Sequence, residues 1–229
     1  LIGRTMYVYG GKNANKDLLN DVWALDLVDP KWTMVYDATA EDIADLKAPV
    51  PRKGHSLVAA PATHSRAAGA DAPALVLFGG RNGSHYFNDV WLFFPQERVW
   101  EAVDAGKKGK AHHLAPPARD HHSAVVVGET MYMMSGWVDM VHAFDDLWAF
   151  DLRTHTWAQV PQQTPFPAAR FLVNLVALGD WFYLFGGELG GDGPHPNKYR
   201  NDVWAFNTKT STWRELSTNQ CPRKDKGRV

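Results

Sequence analysis

The sequence predicts an all-β protein made of repeated four-stranded antiparallel sheets, and three observations carry that reading. A tryptophan is followed nine positions later by another, four times over: Trp23 and Trp32, Trp91 and Trp100, Trp148 and Trp157, Trp204 and Trp213. The first of each pair closes a matching tetrapeptide, Asn20-Asp21-Val22-Trp23, Asn88-Asp89-Val90-Trp91, Asp145-Asp146-Leu147-Trp148 and Asn201-Asp202-Val203-Trp204. Upstream of each tetrapeptide lies a large apolar run ending in two small residues: Met6 to Gly11, Leu75 to Gly80, Met131 to Gly136 and Phe182 to Gly187. Self-similarity at a period of roughly 50 residues marks units too small to bury their own apolar faces, which must stack as the blades of a propeller do.

Each unit reads as four strands, a to d. Strand a opens on Pro and Arg, as in Pro51-Arg52-Lys53-Gly54-His55-Ser56 and Pro117-Ala118-Arg119-Asp120-His121-His122-Ser123. The fourth unit keeps Pro167 and Arg170 but carries Val173-Asn174 where the others have His-Ser. Strand b is the apolar run; its terminal glycines supply positive φ and close backbone approach, with Ser135 standing in for one of them in the third unit. Strand c is the tetrapeptide segment. After a short turn strand d carries the second Trp, as in Asp151-Leu152-Arg153-Thr154-His155-Thr156-Trp157. The units run approximately over 1–35, 50–103, 116–160 and 166–216, and 222–229 starts a further or closing strand. Gly3-Arg4-Thr5 aligns with the a-b turns Gly128-Glu129-Thr130 and Gly179-Asp180-Trp181, so the first unit lacks most of its strand a. Pro222-Arg223 aligns with the other openings and places Lys226 at the histidine register.

The Pro-Arg-x-x-His-Ser opening, the aromatic strand ending Gly-Gly, the Asn-Asp-Val-Trp segment and the outer-strand Trp together resemble the kelch repeat over nearly the whole chain. That resemblance implies a kelch-type β-propeller with one four-stranded blade per repeat. Kelch propellers usually have five to seven blades. The four units visible here are therefore expected to be part of a larger array, the alternative being a four-bladed ring closed by the C-terminal strand.

Composition narrows the partners. The chain has 229 residues with 24 basic against 25 acidic side chains, so no global field draws it to nucleic acid or to an anionic membrane. No apolar run is long enough to span a bilayer. The single cysteine, Cys221, excludes an intrachain disulfide and favours an intracellular, reducing compartment.

Strand alternation puts the b-c and d-a loops on one face, where most length is spent: Tyr36 to Val50, Asp104 to Pro116 and Glu188 to Arg200. Long loops on a rigid scaffold are where binding resides. The a-b connection from Pro61 to Pro73, rich in Ala, Gly and Ser, reads as a flexible spacer. Partner-contact candidates are Lys12, Asn13, Arg81 and Asn82 at loop starts on the elaborated face, with Lys107 and Lys108 in a basic loop. Glu188, Asp192 and His195 share one loop and offer an oxygen and nitrogen ligand set suited to ferrous iron. The loop is similar to the Glu-x3-Asp-x3-His iron site of plant specifier proteins, which are kelch propellers, with the Asp-to-His gap one residue shorter. The bland reading of the same loop is a solvated Gly-rich segment. His112, His113, His121 and His122 fit no zinc spacing, and His122 is the repeat's own framework histidine. Galactose oxidase also has a kelch-like propeller, but no ligand environment of its copper type surrounds Cys221. Neither Gly-x-Ser-x-Gly, a phosphate loop nor His-Glu-x-x-His is present.

The sequence is thus expected to encode a non-enzymatic scaffold or adaptor that binds a protein partner through its loops, without a cofactor. The alternative is an iron(II)-dependent, specifier-like lyase using Glu188, Asp192 and His195.

Overall fold

The computed structural model describes residues 1–64, 71–83, 85–103, 114–139, 142–190 and 199–217. Four sheets follow one another along the chain. Blade 1 has three strands, β1 (Thr5–Lys12), β2 (Leu18–Asp26) and β3 (Trp32–Tyr36). A one-turn helix, α1 (Ala40–Ala44), follows. Blade 2 contains β4 (Ser56–His64), β5 (Asp71–Phe78), β8 (Val90–Phe94) and β9 (Val99–Val103), with a two-residue ribbon of β6 (Arg81–Asn82) and β7 (His85–Tyr86) between its b and c strands. Blade 3 repeats this with β10 (Ser123–Val127), β11 (Thr130–Met134), β14 (Leu147–Asp151) and β15 (Thr156–Val160), and the ribbon β12 (Trp137–Val138) with β13 (His142–Ala143). Blade 4 comprises β16 (Asn174–Leu178), β17 (Trp181–Phe185), β18 (Val203–Asn207) and β19 (Thr212–Ser217). Every pairing is antiparallel, and apart from the short ribbons each blade strand pairs with the next blade strand along the chain, so the described residues form three four-stranded blades and one three-stranded blade.

Two details differ from the sequence reading. The Tyr36 to Val50 connection is not all loop, because Thr39 and Asp42 form a capping box that closes the single turn of α1. The segment read as a flexible spacer from Pro61 to Pro73 is entered from both sides by strands, which stay paired out to Thr63 with Ala72 and His64 with Asp71. The two ends of the segment are thus strand, and its centre, residues 65–70, lies outside the described residues.

The blades pack because strand alternation sends apolar residues to both faces of each sheet. On β5, Leu75 and Leu77 join Tyr9 and Val22 of blade 1, while Val76 and Phe78 join Met131, Met133 and Trp148 of blade 3. Blade 3 then offers Val125, Met134 and Leu147 to Phe182, Leu184 and Trp204 of blade 4. The second tryptophans are inter-blade packing residues: Trp100, Trp157 and Trp213 are 6–7% exposed. Trp32 occupies the same register on the outer face of blade 1 and is 48% exposed, because no blade lies against that face among the described residues.

A buried polar clamp fixes blades 2, 3 and 4. Arg52, Arg119 and Arg170 are fully buried, and each forms a bidentate pair with the tetrapeptide Asp of its own blade, Asp89, Asp146 and Asp202, at 2.6–3.0 Å. The same Asp accepts from the Nε1 of the Trp two residues on, at 2.7–2.8 Å. Each guanidinium also donates to the first residue of the small pair, the carbonyls of Gly79, Ser135 and Gly186. A planar five-donor fork is what this geometry requires, which explains why Arg recurs rather than Lys. Between blades, the amides of Gly11, Gly80 and Gly136 donate to the carbonyls of Arg52, Arg119 and Arg170 at 2.9–3.0 Å. Gly80 has φ +88°, and a Cβ there would stand 2.8 Å from the Lys53 carbonyl and 2.9 Å from His55 Cβ, so a side chain is excluded.

Candidate partner-binding surface

The glycine pairs do more than close strands: they place the next residue of every unit at one equivalent point, the root of the b-c loop. Those residues are Lys12, Arg81, Trp137 and Glu188. Three of them bridge antiparallel to the residue after the opening Arg, giving the pairs Lys53 with Arg81, Asp120 with Trp137 and Phe171 with Glu188. The backbone here is repetitive while the side chains change from basic through aromatic to acidic along the row. Recognition differences reside where a rigid frame carries variable groups.

Within the row the side chains are engaged to different degrees. Lys12 is exposed at the end of β1. Asn13 is committed to its own turn, its side-chain oxygen accepting from the Asp17 amide at 2.9 Å and its Nδ2 donating to the Asp17 carboxylate at 3.0 Å. Arg81 is 20% exposed and holds Asp120, a completely buried carboxylate of blade 3, with Nε 2.7 Å from Oδ2. Its guanidinium also lies 5.9 Å from the Tyr86 ring centroid. Arg81 therefore ties blade 2 to blade 3 and offers only its edge to a partner, whereas Asn82 beside it is exposed. Trp137 stacks on Phe171 with centroids 4.2 Å apart and donates through Nε1 to His121 Nδ1 at 3.2 Å. The same His121 nitrogen lies 3.0 Å from Oδ2 of buried Asp120. Sequence reasoning passed over Trp137 and Phe171; their alignment with Arg81 and Lys53 behind the glycine pair was the signal that could have found them.

The remaining expectations divide. Lys107, Lys108, Asp192 and His195 lie outside the described residues, as do His112, His113 and Cys221. Glu188 is held by backbone bonds to Phe171 at 2.9 and 3.0 Å and bridges on its other side to Tyr199. Among the described residues no three His, Cys, Asp or Glu side chains gather as a metal site. His122 is a framework residue: it is buried, its Nε2 lies 2.9 Å from Ser56 Oγ of blade 2, and its ring packs edge-on to Phe78. Burial and the neighbouring Arg119 charge push its pKa well below the usual imidazole value. Burial and Arg52 likewise push His55 down to about 4. Neutral histidines of this kind pack; they do not titrate near pH 7. Among the described residues no helix is long and apolar enough to cross a membrane.

Comparison with known proteins agrees with this geometry. Residues 48–228 match the family model described as the KLHDC2/KLHL20/DRC7 Kelch-repeats domain, and residues 1–35 match the Kelch motif. The chain belongs to the kelch-repeat family. Relatives include Kelch domain-containing protein 3 of Bos taurus, 29% identical over 93% of this chain and 54% of that protein. Acyl-CoA-binding domain-containing protein 4 of Arabidopsis thaliana is 26% identical over 80% of this chain and 33% of its own length. The Host cell factor homolog hcf-1 of Caenorhabditis elegans is 25% identical over 81% and 24%. The chain thus spans about half the length of the bovine relative and less of the other two.

Proposed function

We propose that this kelch region is a protein-interaction module, an adaptor or scaffold that presents its b-c and d-a loops to a protein partner. The observation that carries the reading is the row of equivalent loop roots, where an invariant backbone frame holds Lys12, Arg81, Trp137 and Glu188. Blade packing and the Arg-Asp-Trp clamps order those roots before binding, so less conformational entropy is lost on association than with free loops. Lys12 and Asn82 are accessible contacts in this scheme, to which the sequence adds Lys107 and Lys108 as candidates.

The test compares cross-linked partners of the parent chain with those of a Lys12→Glu/Asn82→Ala/Lys107→Glu/Lys108→Glu variant. An Arg153→Ala/Lys209→Ala variant on the opposite face serves as control. Loss of partners from the loop variant alone, at unchanged melting temperature, supports the reading. Retention of every partner by the loop variant refutes it. In this reading the Glu188 to His195 loop is a binding loop that holds no iron. Anaerobic reconstitution with ferrous iron followed by metal analysis checks that, and stoichiometric iron lost on Asp192→Ala would favour the lyase instead.

A further inference from the structure

Blade 3 departs from the repeat at Asp145, where the other tetrapeptides open on Asn20, Asn88 and Asn201. In blade 2, Asn88 donates through Nδ2 to the Pro116 carbonyl at 3.2 Å, which ties strand c to the connection entering blade 3. A carboxylate has no proton to donate, so Asp145 cannot make that tie. At the same end of blade 3, strand d and the connection entering blade 4 border an open cleft of about 480 Å³, lined by Asp145, Asp146, Gln159, Val160, Gln162 and Phe166. Its polar groups are skewed toward acceptance. Asp145 is exposed, and among the described residues no Lys, Arg or His lines the cleft. Gln162 spends Nε2 on the Asp145 carbonyl, and its Oε1 is buried without a hydrogen-bond partner among the described residues. A buried acceptor left without a donor is costly, and here it stands beside an exposed carboxylate.

We propose that this cleft receives an arginine side chain of the protein partner, its guanidinium on the Asp145 carboxylate and its flat face against Phe166. The chain's own arginines show that the fold already uses this combination. Arg52 pairs with Asp89 and lies 4.1 Å from the Phe87 ring centroid, and Arg119 pairs with Asp146 and lies 3.8 Å from that of Phe144. In both, a carboxylate takes N–H groups while an aromatic ring covers the cation. Arginine suits the cleft better than lysine. Its planar fork meets the carboxylate at two points and keeps N–H groups over for the Gln162 oxygen, and its weakly hydrated faces leave water for Val160 and Phe166 at less cost than an ammonium. Asp146 does not compete, because Arg119 and Trp148 already occupy its oxygens. The cleft belongs to the face that carries the b-c and d-a loops, so the proposal deepens the partner-binding reading above and rests on it.

The test titrates the chain with N-acetyl-arginine amide and follows its backbone amide resonances by NMR, with N-acetyl-lysine amide and uncharged N-acetyl-citrulline amide as comparisons. The arginine probe is expected to give saturable shifts centred on Asp145, Gln162 and Phe166, the lysine probe weaker binding at the same residues, and the citrulline probe none. Asp145→Asn, which installs the residue that the other blades carry, is expected to keep the melting temperature and to lose the response. Shifts that do not saturate, an equal response to citrulline, or a response that survives Asp145→Asn each overturn the proposal. The probe needs no partner, which separates the two readings. A chain that captures partners yet leaves the arginine probe unbound overturns the cleft alone, and one that binds the probe at Asp145 but captures no partner keeps the cation site and overturns the adaptor.

Discussion

Replacing Arg119 with Met tests whether the buried clamp holds a blade together or merely accompanies packing that would suffice alone. Arg119 has no exposed surface and spends its fork on four acceptors: both carboxylate oxygens of Asp146 at 2.6 and 2.7 Å, the Ser135 carbonyl at 3.0 Å and the Pro117 carbonyl at 3.1 Å. Its guanidinium carbon lies 3.8 Å from the Phe144 ring centroid. Met fills much of the volume, so the loss is polar: it leaves Asp146, 15% exposed, with only its bond from Trp148, and two carbonyls without their donor. Breaking a buried pair by removing one partner costs about 3–5 kcal/mol. For a chain of this length each kcal/mol lowers the melting temperature by about 2–4 °C, so a fall of roughly 6–20 °C is expected in thermal unfolding followed by circular dichroism. Asp146→Asn keeps an acceptor for Trp148 and removes the charge left stranded. The double variant should therefore cost less than the sum of the singles by about 2 kcal/mol. Additivity of the two within about 0.5 kcal/mol, or a loss below about 1 kcal/mol for Arg119→Met, would refute the clamp argument.

Three further outcomes are expected. The two departures from the repeat at the junction of blades 3 and 4 compensate each other, because a Cβ at Gly79 would lie 3.0 Å from His122 Cε1, and where Ser135 carries that Cβ the histidine position holds the shorter Val173; Val173→His alone should cost about 1–3 kcal/mol by overpacking, and Ser135→Gly should recover most of it in a denaturant double-mutant cycle. Trp157→Ala should cost about 3–5 kcal/mol and Trp32→Ala at most half as much, since only the first is sealed between blades; equal losses would show that the outer face of blade 1 is covered in solution. Because folding lowers the pKa of His55 and His122 below the usual 6.5, the unfolded chain takes up protons first as pH falls, and stability should decline from about pH 6.5 toward the folded value of about 4 for His55. The window is separable from the carboxylates: burial works to raise the Asp202 pKa, yet bonds from Arg170 and Trp204 hold it below 3.8, so that contribution is lost only in stronger acid. Urea midpoints across this range should show the slope, and a His55→Gln/His122→Gln variant should flatten it.

The repeat was legible because its chemistry is local and its copies can be laid side by side. Paired tryptophans and small-residue pairs ending in glycine recur in all four units, and Pro and Arg open three of them, so strand order, packing faces and the framework role of His122 follow from alignment. The role of Arg81 was not legible. Read as a residue at a loop start, it is a free contact; in three dimensions the following blade brings buried Asp120 to 2.7 Å, an ion pair between units that no spacing within a unit encodes. The ends of the Pro61 to Pro73 segment misled for a similar reason, since small residues suit a spacer and a strand alike, and only pairing with the opposite strand distinguishes them.

By itself, then, the sequence determined the unit, an antiparallel blade whose alternating apolar residues demand a neighbour on both faces. Only the tertiary structure decided which atoms meet across that neighbour relation: the arginine carbonyl on the glycine amide, Arg81 on buried Asp120, and Trp137 stacked on Phe171. Periodicity along a chain reports which residues share a register. The contacts that give those registers different environments join residues as far apart in sequence as Ser56 and His122, 66 positions, and become distances only when the blades stack.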